Sequence, residues 1–158
     1  MRRRRSSRLL VIDPNNRVLL FRFVHQHGPL AERDLWATPG GALEAGESFE
    51  EAARRELFEE TDVVIDAVGP PVADQEFVLQ LHDGEHVIAE ERFFPVRVAG
   101  RTLSRAHWTP LEKELMADHR WWSVEELRST SEVVFPENLA SLLASIGVTA
   151  SLPKGPIH

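Results

Sequence analysis

The sequence contains no cysteine and no tyrosine among its 158 residues. Without cysteine the chain cannot form disulfides, zinc–thiolate sites, iron–sulfur clusters or a thiol nucleophile. Long apolar runs are absent too: the longest are a few residues, as in 9–12, too short to cross a membrane. Hydrophobic residues make up 42% and charged residues 27% of the chain, as in ordinary folded proteins. We therefore expect a soluble, cytoplasmic protein with a single domain over residues 1–158.

Positive charge is scarce and unevenly distributed. The chain has 18 Lys and Arg against 25 Asp and Glu, and five of the basic residues lie within the first eight. The rest of the chain is strongly acidic and repels polyanions, which disfavours nucleic-acid binding unless the basic end alone carries it. We expect residues 1–7 to form a loose basic arm and 148–158 a loose tail. Alternatively, one arginine, such as Arg8, begins a strand and contacts a substrate phosphate.

Strand and helix patterns alternate along the chain. The predicted strands are 8–12, 17–24, 63–68, 75–81, 87–98 and 120–122, and the predicted helices are 49–61, a short one after Ser123, and 137–146. Capping boxes, in which a serine precedes a glutamate by three residues, start the first two helices at Ser48 and Ser123. We expect a tight turn at 38–41 and a charged, part-helical loop at 109–119. The pattern predicts an α/β (α+β) fold, with a mixed sheet between helices.

Three glutamates cluster near the end of the predicted helix 49–61. Glu56, Glu59 and Glu60 are spaced at i, i+3 and i+4, so they lie together beside the apolar stripe. Such like charges repel by about 0.2–0.5 kcal/mol per pair, and the negative end of the helix dipole disfavours them further. Arg55 can reach Glu59, but one guanidinium cannot neutralise three carboxylates. The cluster indicates either a hydrated helix end or a site for a hard cation such as Mg²⁺ or Mn²⁺.

A wider spacing favours the second interpretation. Five residues separate Gly41 from Glu47, and seven separate Glu47 from the run 55–60. This pattern resembles the Nudix box, which specifies nine positions at fixed spacing. Eight of them match: Gly41, Glu47, Arg55, Glu56, Leu57, Glu59, Glu60 and Val63. The ninth, usually glycine, is Asp62, where we expect a left-handed backbone that aspartate tolerates better than most residues.

The resemblance implies a fold, an activity and individual roles. The implied fold is the Nudix α/β/α sandwich, and the implied activity is Mg²⁺- or Mn²⁺-dependent hydrolysis of a nucleoside diphosphate linked to another group, with water attacking phosphorus. The implied metal ligands are the Gly40 carbonyl, Glu56, Glu59 and Glu60. The implied catalytic residues are Glu56, Glu60, Arg55 and Glu47, with Arg55 orienting Glu47 and Glu59. The candidates for substrate contact are Arg8, Gly41 and Trp36, although core packing is the commoner role for a tryptophan.

The general base comes either from the box helix or from outside it. The outside candidates are Glu90 and Glu91 in the predicted strand 87–98, and Glu112 and Glu114 in the loop that follows. Side chains alternate along a strand, so at most one of Glu90 and Glu91 can face the site.

The substrate is open to several interpretations. The chain lacks the tyrosine of the dinucleoside-polyphosphate signature, the coenzyme A prefix is missing, and Pro70 and Pro71 lie too close to the box for the ADP-ribose signature. By elimination we favour a nucleoside triphosphate or a small nucleotide-linked metabolite. The alternatives are a hydrolase of nucleotide sugars or ADP-ribose-type metabolites and a non-catalytic nucleotide-binding module. We expect a small-molecule nucleotide pyrophosphate as partner and a monomer or homodimer.

Overall fold

The computed structural model describes residues 1–24, 34–81, 83–100, 106–108, 110, 113 and 116–149. The strands are β1 (Arg3–Ile12), β2 (Val18–Val24), β3 (Asp34–Ala37), β4 (Gly40–Ala42), β5 (Ala73–Gln80), β6 (His86–Arg97), β7 (Met116–Trp122) and β8 (Val133–Phe135). The helices are α1 (Phe49–Thr61), α2 (Val124–Ser129) and α3 (Leu139–Ser145).

The described strands form one mixed sheet in the order β5-β6-β1-β2-β3-β8, with β4 added on β1 and β7 on β2. The long parallel pair β1–β6 runs from Arg3 opposite Ile88 to Ile12 opposite Arg97. The short strand β4 pairs antiparallel with the middle of β1, and this pairing sets Gly40 opposite Arg8. This pairing attaches Gly40 and Gly41, which we call the glycine loop, to β1 beside the start of α1.

Helices cover both faces of the sheet, because side chains alternate along β1 and β2. Leu9 and Val11 belong to a core cluster that includes Leu57 of α1. Leu10 and Ile12 belong to a second cluster, on the other face, with residues of α2 and α3. The predicted sandwich with a mixed sheet between helices is therefore confirmed.

The elements with strong local signals lie where the sequence predicts them. Helix α1 spans the predicted 49–61, and both capping boxes are formed, at Ser48 and Ser123. The strands predicted over 75–81 and 87–98 are β5 and β6, which are antiparallel and joined by a turn at Asp83-Gly84. Helix α3 is shorter than predicted, beginning at Leu139 rather than at 137.

Three local predictions are wrong. Residues 63–68 do not form a strand: Val63, Ile65 and Val68 are partly buried because they pack against the α1-side cluster, which gives the run its alternating pattern. The expected turn at 38–41 instead includes the start of β4, because Gly40 and Gly41 pair with β1. The expected loop 109–119 is wrong over 116–119, since 116–122 pair with β2 as strand β7.

The expected loose arm is also wrong. Strand β1 begins at Arg3, and Arg2, Arg3 and Arg5 form ion pairs with acidic residues of β5, β6 and the turn between them. The pairs are Arg2 with Glu85 at 2.9 Å, Arg3 with Glu76 at 2.8 Å and Arg5 with Glu90 at 3.6 Å. The charges that suggested a solvated end therefore lie beside opposite charges on neighbouring strands.

The predicted loose tail is partly described by the structure. Of the tail expected over 148–158, Val148 is buried and belongs to the α2–α3 cluster, which contradicts the prediction there. Residues 150–158 lie outside the described residues. None of the described helices is long and apolar enough to cross a membrane.

Candidate active site

The last turns of α1 carry the predicted glutamate cluster. The helix starts at a capping box, where Ser48 Oγ accepts from the Glu51 backbone N–H at 3.0 Å and Glu51 Oε1 accepts from the Ser48 backbone N–H at 3.0 Å. Leu57 lies on the inner face of the helix and is fully buried. Glu56 and Glu60 are also buried, with 7% and 2% of their surface exposed. Carboxylates this buried need compensating donors or cations.

Arg55 is the centre of the cluster. Its guanidinium donates to both carboxylate oxygens of Glu47 at 2.8 and 2.9 Å, to Glu56 Oε1 at 2.8 Å and to Glu59 Oε2 at 3.2 Å. These bonds, the Glu47 bond first, hold the pKa of Arg55 well above its usual value, although partial burial opposes them. The same bond lowers the pKa of Glu47. Arg55 therefore contacts both of the residues, Glu47 and Glu59, that it is predicted to orient.

Glu44 joins this network although sequence reasoning missed it. Its Oε1 lies 2.8 Å from Arg55 Nε, and its backbone N–H donates to Glu47 Oε1 at 2.9 Å. Glu44 lies in the five residues of the box that the motif leaves unspecified, so no local signal marks it.

The glycine loop lies against the buried glutamates. The Gly40 backbone N–H donates to Glu60 Oε1 at 3.2 Å. A Cβ at Gly41 would lie 2.5 Å from Glu56 Oε1, and a Cβ at Gly40 would lie 2.1 Å from the Ser7 carbonyl oxygen. Gly40 therefore requires glycine because backbone approaches it so closely, whereas a side chain at Gly41 would displace the Glu56 carboxylate.

Asp62 ends the helix in the left-handed conformation that the box predicts for its usual glycine. Its φ is 67° and ψ 15°, and its backbone N–H donates to the Phe58 carbonyl at 2.8 Å. His107 Nε2 lies 2.9 Å from Asp62 Oδ1, and the neighbouring Trp108 donates from Nε1 to the Glu60 carbonyl at 3.0 Å. Residues 107 and 108 thus hold the end of α1 through side-chain contacts, which no sequence motif predicts.

Glu90 and Glu91 face opposite sides of β6, as alternation requires. Glu91 is 7% exposed, and its Oε2 accepts from Arg8 Nε at 2.9 Å and Nη2 at 2.8 Å. Burial opposes the charge of Arg8, but Glu91, then Glu60 and Glu56, outweigh it and raise the pKa of Arg8. Arg8, which binds Glu91, is therefore also attracted by Glu60 and Glu56 of the α1 cluster. Glu90 instead faces Arg5 and Arg92.

Trp36, a candidate for substrate contact, lies in the core rather than at the carboxylate cluster. Trp36 is buried in the core and packs edge-on against Trp122, with ring centroids 5.3 Å apart, so its face is engaged by the protein. This arrangement favours core packing over the alternative role in substrate contact. The base candidates Glu112 and Glu114 lie outside the described residues.

The donor set suits a hard divalent cation. Six carboxylates surround Arg55 and Arg8: Glu44, Glu47, Glu56, Glu59, Glu60 and Glu91. Oxygen ligands without histidine or cysteine are typical of Mg²⁺ and Mn²⁺ sites. In the present side-chain orientations, no three acidic or histidine groups of the described residues converge on one point, and Arg55 lies between Glu56 and Glu59. A cation at this cluster would be held by carboxylate oxygens of α1.

The chain is similar to known proteins in sequence and in fold. The family model of the NUDIX domain matches residues 2–143. Among curated proteins, a Nudix hydrolase of Bacillus subtilis strain 168, YvcI, is 36% identical over 62 residues. That alignment covers 39% of this chain and 37% of the relative, so the chain matches little more than a third of the relative's length.

Solved structures share the fold at low identity. A MutT protein from Methanosarcina mazei Go1 has a TM-score of 0.67 at 20% identity, covering 91% of this chain and 92% of its own. The NUDIX domain of Shewanella oneidensis NrtR, solved with ADP ribose, has a TM-score of 0.63 at 16% identity, covering 90% of this chain and 86% of its own. At these identities the likeness extends to the fold alone.

Proposed function

We propose that this chain, which belongs to the Nudix family, is a pyrophosphohydrolase that cleaves a nucleoside diphosphate linked to another group by attack of water at phosphorus. The observation that carries the proposal is the carboxylate cluster of α1, in which Glu56 and Glu60 are buried against Gly41 and Gly40. A pyrophosphate brings further negative charge, so the reaction needs a cation at the same place.

The residues that would hold Mg²⁺ or Mn²⁺ are Glu56, Glu59, Glu60 and the Gly40 carbonyl. When bound, the ion would neutralise phosphate charge and make water more acidic. Arg55 would keep the carboxylates in place through its bonds to Glu47, so that they need not reorganise during the reaction. The buried site would also limit the access of bulk water.

Glu91 is the best base candidate outside the helix. It is buried, and Arg8 binds only its Oε2 among the described contacts, which leaves Oε1 to accept a proton from the attacking water. Its coupling to Glu56 and Glu60 through Arg8 supports a position at the same site. We propose Arg8 as the residue that positions Glu91.

A matched pair of substitutions tests the metal site. Glu60→Gln removes a buried carboxylate charge, and Glu50→Gln removes an exposed one on the same helix. We expect hydrolysis of a nucleotide panel with Mg²⁺ to fall at least about 100-fold in Glu60→Gln, since losing several kcal/mol of transition-state stabilisation has that effect. Glu50→Gln should retain wild-type turnover. Equal activity in the two variants would contradict the site, and nucleotide binding without turnover by the wild type would favour a binding module.

The neighbouring glutamates of β6 test the base. We expect Glu91→Gln to lower kcat by about 100-fold or more and to flatten the acidic limb of its pH profile, because a general base contributes about 10²–10⁴ in rate. Glu90→Gln, one residue away but facing Arg5 and Arg92, should leave both unchanged. The reverse result would assign the base to Glu90.

A further inference from the structure

A cavity of about 490 Å³ lies beside the glycine loop, at the beginning of β1. The residues that line it are Arg2, Arg3, Arg4, Arg5, Ala42, Leu43, Glu44, Gly46 and Glu47. One wall is therefore the arginine run, and the other is the segment that leads from β4 to α1. The backbone bond from the Leu43 N–H to the Arg5 carbonyl, 2.9 Å long, joins the two walls.

The cavity borders the candidate active site. Glu44 and Glu47 line it, and both bind Arg55, which also binds Glu56 and Glu59. A ligand that spans from the α1 carboxylates past Glu47 would therefore enter the cavity. Its volume falls within the range of small-molecule sites, about 300–1,000 Å³.

Arg4 differs from the other arginines of the run. Arg2, Arg3 and Arg5 each pair with a carboxylate. Arg4 has no carboxylate within ion-pair distance among the described residues, and its recorded side-chain bond goes from Nη1 to the neutral Ser6 Oγ, at 3.2 Å. It is also partly buried. A half-buried guanidinium with neutral partners is suited to an anionic ligand.

Charged groups of the candidate active site act on Arg4. Burial first, and then the positive charge of Arg8, lower the pKa of Arg4, while Glu91 and Glu56 oppose them. Arg4, Ser6 and Arg8 alternate along β1, so Arg4 and Arg8 lie on the same face of the strand. An anion at Arg4 would relieve the repulsion between the two guanidinium groups.

We propose that the cavity is an anion subsite in which Arg4 binds a phosphate of the substrate that lies beyond the hydrolysed pyrophosphate bond. The proposal rests on the proposed function, and it narrows the substrate to compounds whose distal group is itself anionic, such as a nucleoside triphosphate or a longer phosphate chain. A nucleoside diphosphate joined to an uncharged sugar would gain nothing from Arg4.

Binding of inorganic tripolyphosphate without divalent metal tests the subsite independently of hydrolysis. Isothermal titration calorimetry at low salt should show that Arg4→Ala weakens binding about 10-fold or more, because bonds between charged groups are the strong ones. Arg97→Ala is the matched control: it removes an exposed arginine from the far end of the β1–β6 pair, about 26 Å away at about 3.3 Å per residue. We expect its affinity to stay within twofold of wild type.

Two further variants separate binding from folding. Arg4→Gln keeps an amide donor for Ser6 but loses the charge, and Arg4→Lys keeps the charge. Thermal melts should show both folded, with binding lost in Arg4→Gln and partly retained in Arg4→Lys. Any of three results would overturn the subsite. The wild type does not bind tripolyphosphate, Arg4→Gln binds it as tightly as the wild type, or Arg4→Ala and Arg97→Ala weaken binding equally.

Kinetics then define the substrate class. We expect Arg4→Ala to raise KM about 10-fold for a nucleoside triphosphate while leaving KM for an uncharged nucleoside diphosphate sugar within twofold. Equal KM changes for both substrates would overturn the assignment to a distal phosphate. If neither substrate is hydrolysed by the wild type, the proposed function fails, whereas the calorimetry still decides whether the anion subsite exists.

Discussion

Replacing Gly41 with alanine should damage catalysis more than folding. The new Cβ would lie 2.5 Å from Glu56 Oε1, whereas ordinary contacts begin near 3.4 Å, so the carboxylate must move by about 0.9 Å. That movement disturbs its 2.8 Å bond with Arg55. The Gly41 backbone lies outside the left-handed region, so alanine can adopt its conformation.

The expected effects follow from the size of this displacement. Misplacing a reacting group by about 1 Å costs about 100-fold in rate, so we expect kcat to fall by that factor. Moving a side chain off its preferred rotamer costs about 1 kcal/mol, which corresponds to roughly 2–4 °C in Tm for a chain of this size. Steady-state kinetics with Mg²⁺ and melts without metal measure the two quantities separately.

Gly40→Ala is the matched comparison, because its Cβ would meet backbone rather than a side chain. Its Cβ would lie 2.1 Å from the Ser7 carbonyl oxygen, which is backbone, and its φ of 141° is strained for alanine. Because the strand cannot move aside as a side chain can, we expect a loss of several kcal/mol and a Tm lowered by more than about 8 °C. Wild-type kcat in Gly41→Ala, or equal losses of Tm in both variants, would refute the reasoning.

Three further predictions concern the folded state. Ser48→Ala and Ser123→Ala should each lower the free energy of unfolding by about 1 kcal/mol in urea titrations. Asn138→Ala, at a cap whose side chain makes no capping bond to the helix, should change it by less than about 0.5 kcal/mol. The pKa of Glu47 is lowered by its arginine partner, so in the window below its usual 4.5 the folded state binds fewer protons than the unfolded state. Stability should therefore fall as pH falls through that window, and less steeply in Glu47→Gln. Asp62→Ala should be about 1 kcal/mol less stable than Asp62→Gly, because φ is 67°; equal stabilities in urea would contradict the backbone argument.

What the sequence predicted well depends on local spacing. The capping box at Ser48 and the apolar stripe through Leu57 define α1 within a few turns of chain, so its bounds are confirmed. The positions of Glu56 and Glu60 follow from those bounds, since a helix fixes the direction of each side chain. The left-handed conformation of Asp62 also follows, because the motif requires it at the end of that helix.

What could not be predicted depends on contacts between distant segments. Trp108 fastens the end of α1 from 48 residues away along the chain, and Glu44 reaches Arg55 from an unspecified position. Residues 63–68 show the opposite error: their alternating burial comes from packing on the core, which produces the same pattern as a strand. The hydrophobic pattern of a sequence indicates which residues are buried, but it does not indicate which elements pack against them.

The arginine run shows why charge alone misled the prediction of a loose arm. An arginine-rich segment lacks the apolar alternation of a buried strand, but alternation is needed only where the neighbours are apolar. Here the neighbouring strands carry glutamates at positions that face the arginines, and parallel pairing with β6 brings the two sets together. The unmatched residue is then the informative one. If the run served only to pair with acidic neighbours, each of its arginines would have a carboxylate partner. Arg4 instead binds the neutral Ser6, and it lines a cavity that borders the site. Its position is better explained by an anionic ligand than by the fold.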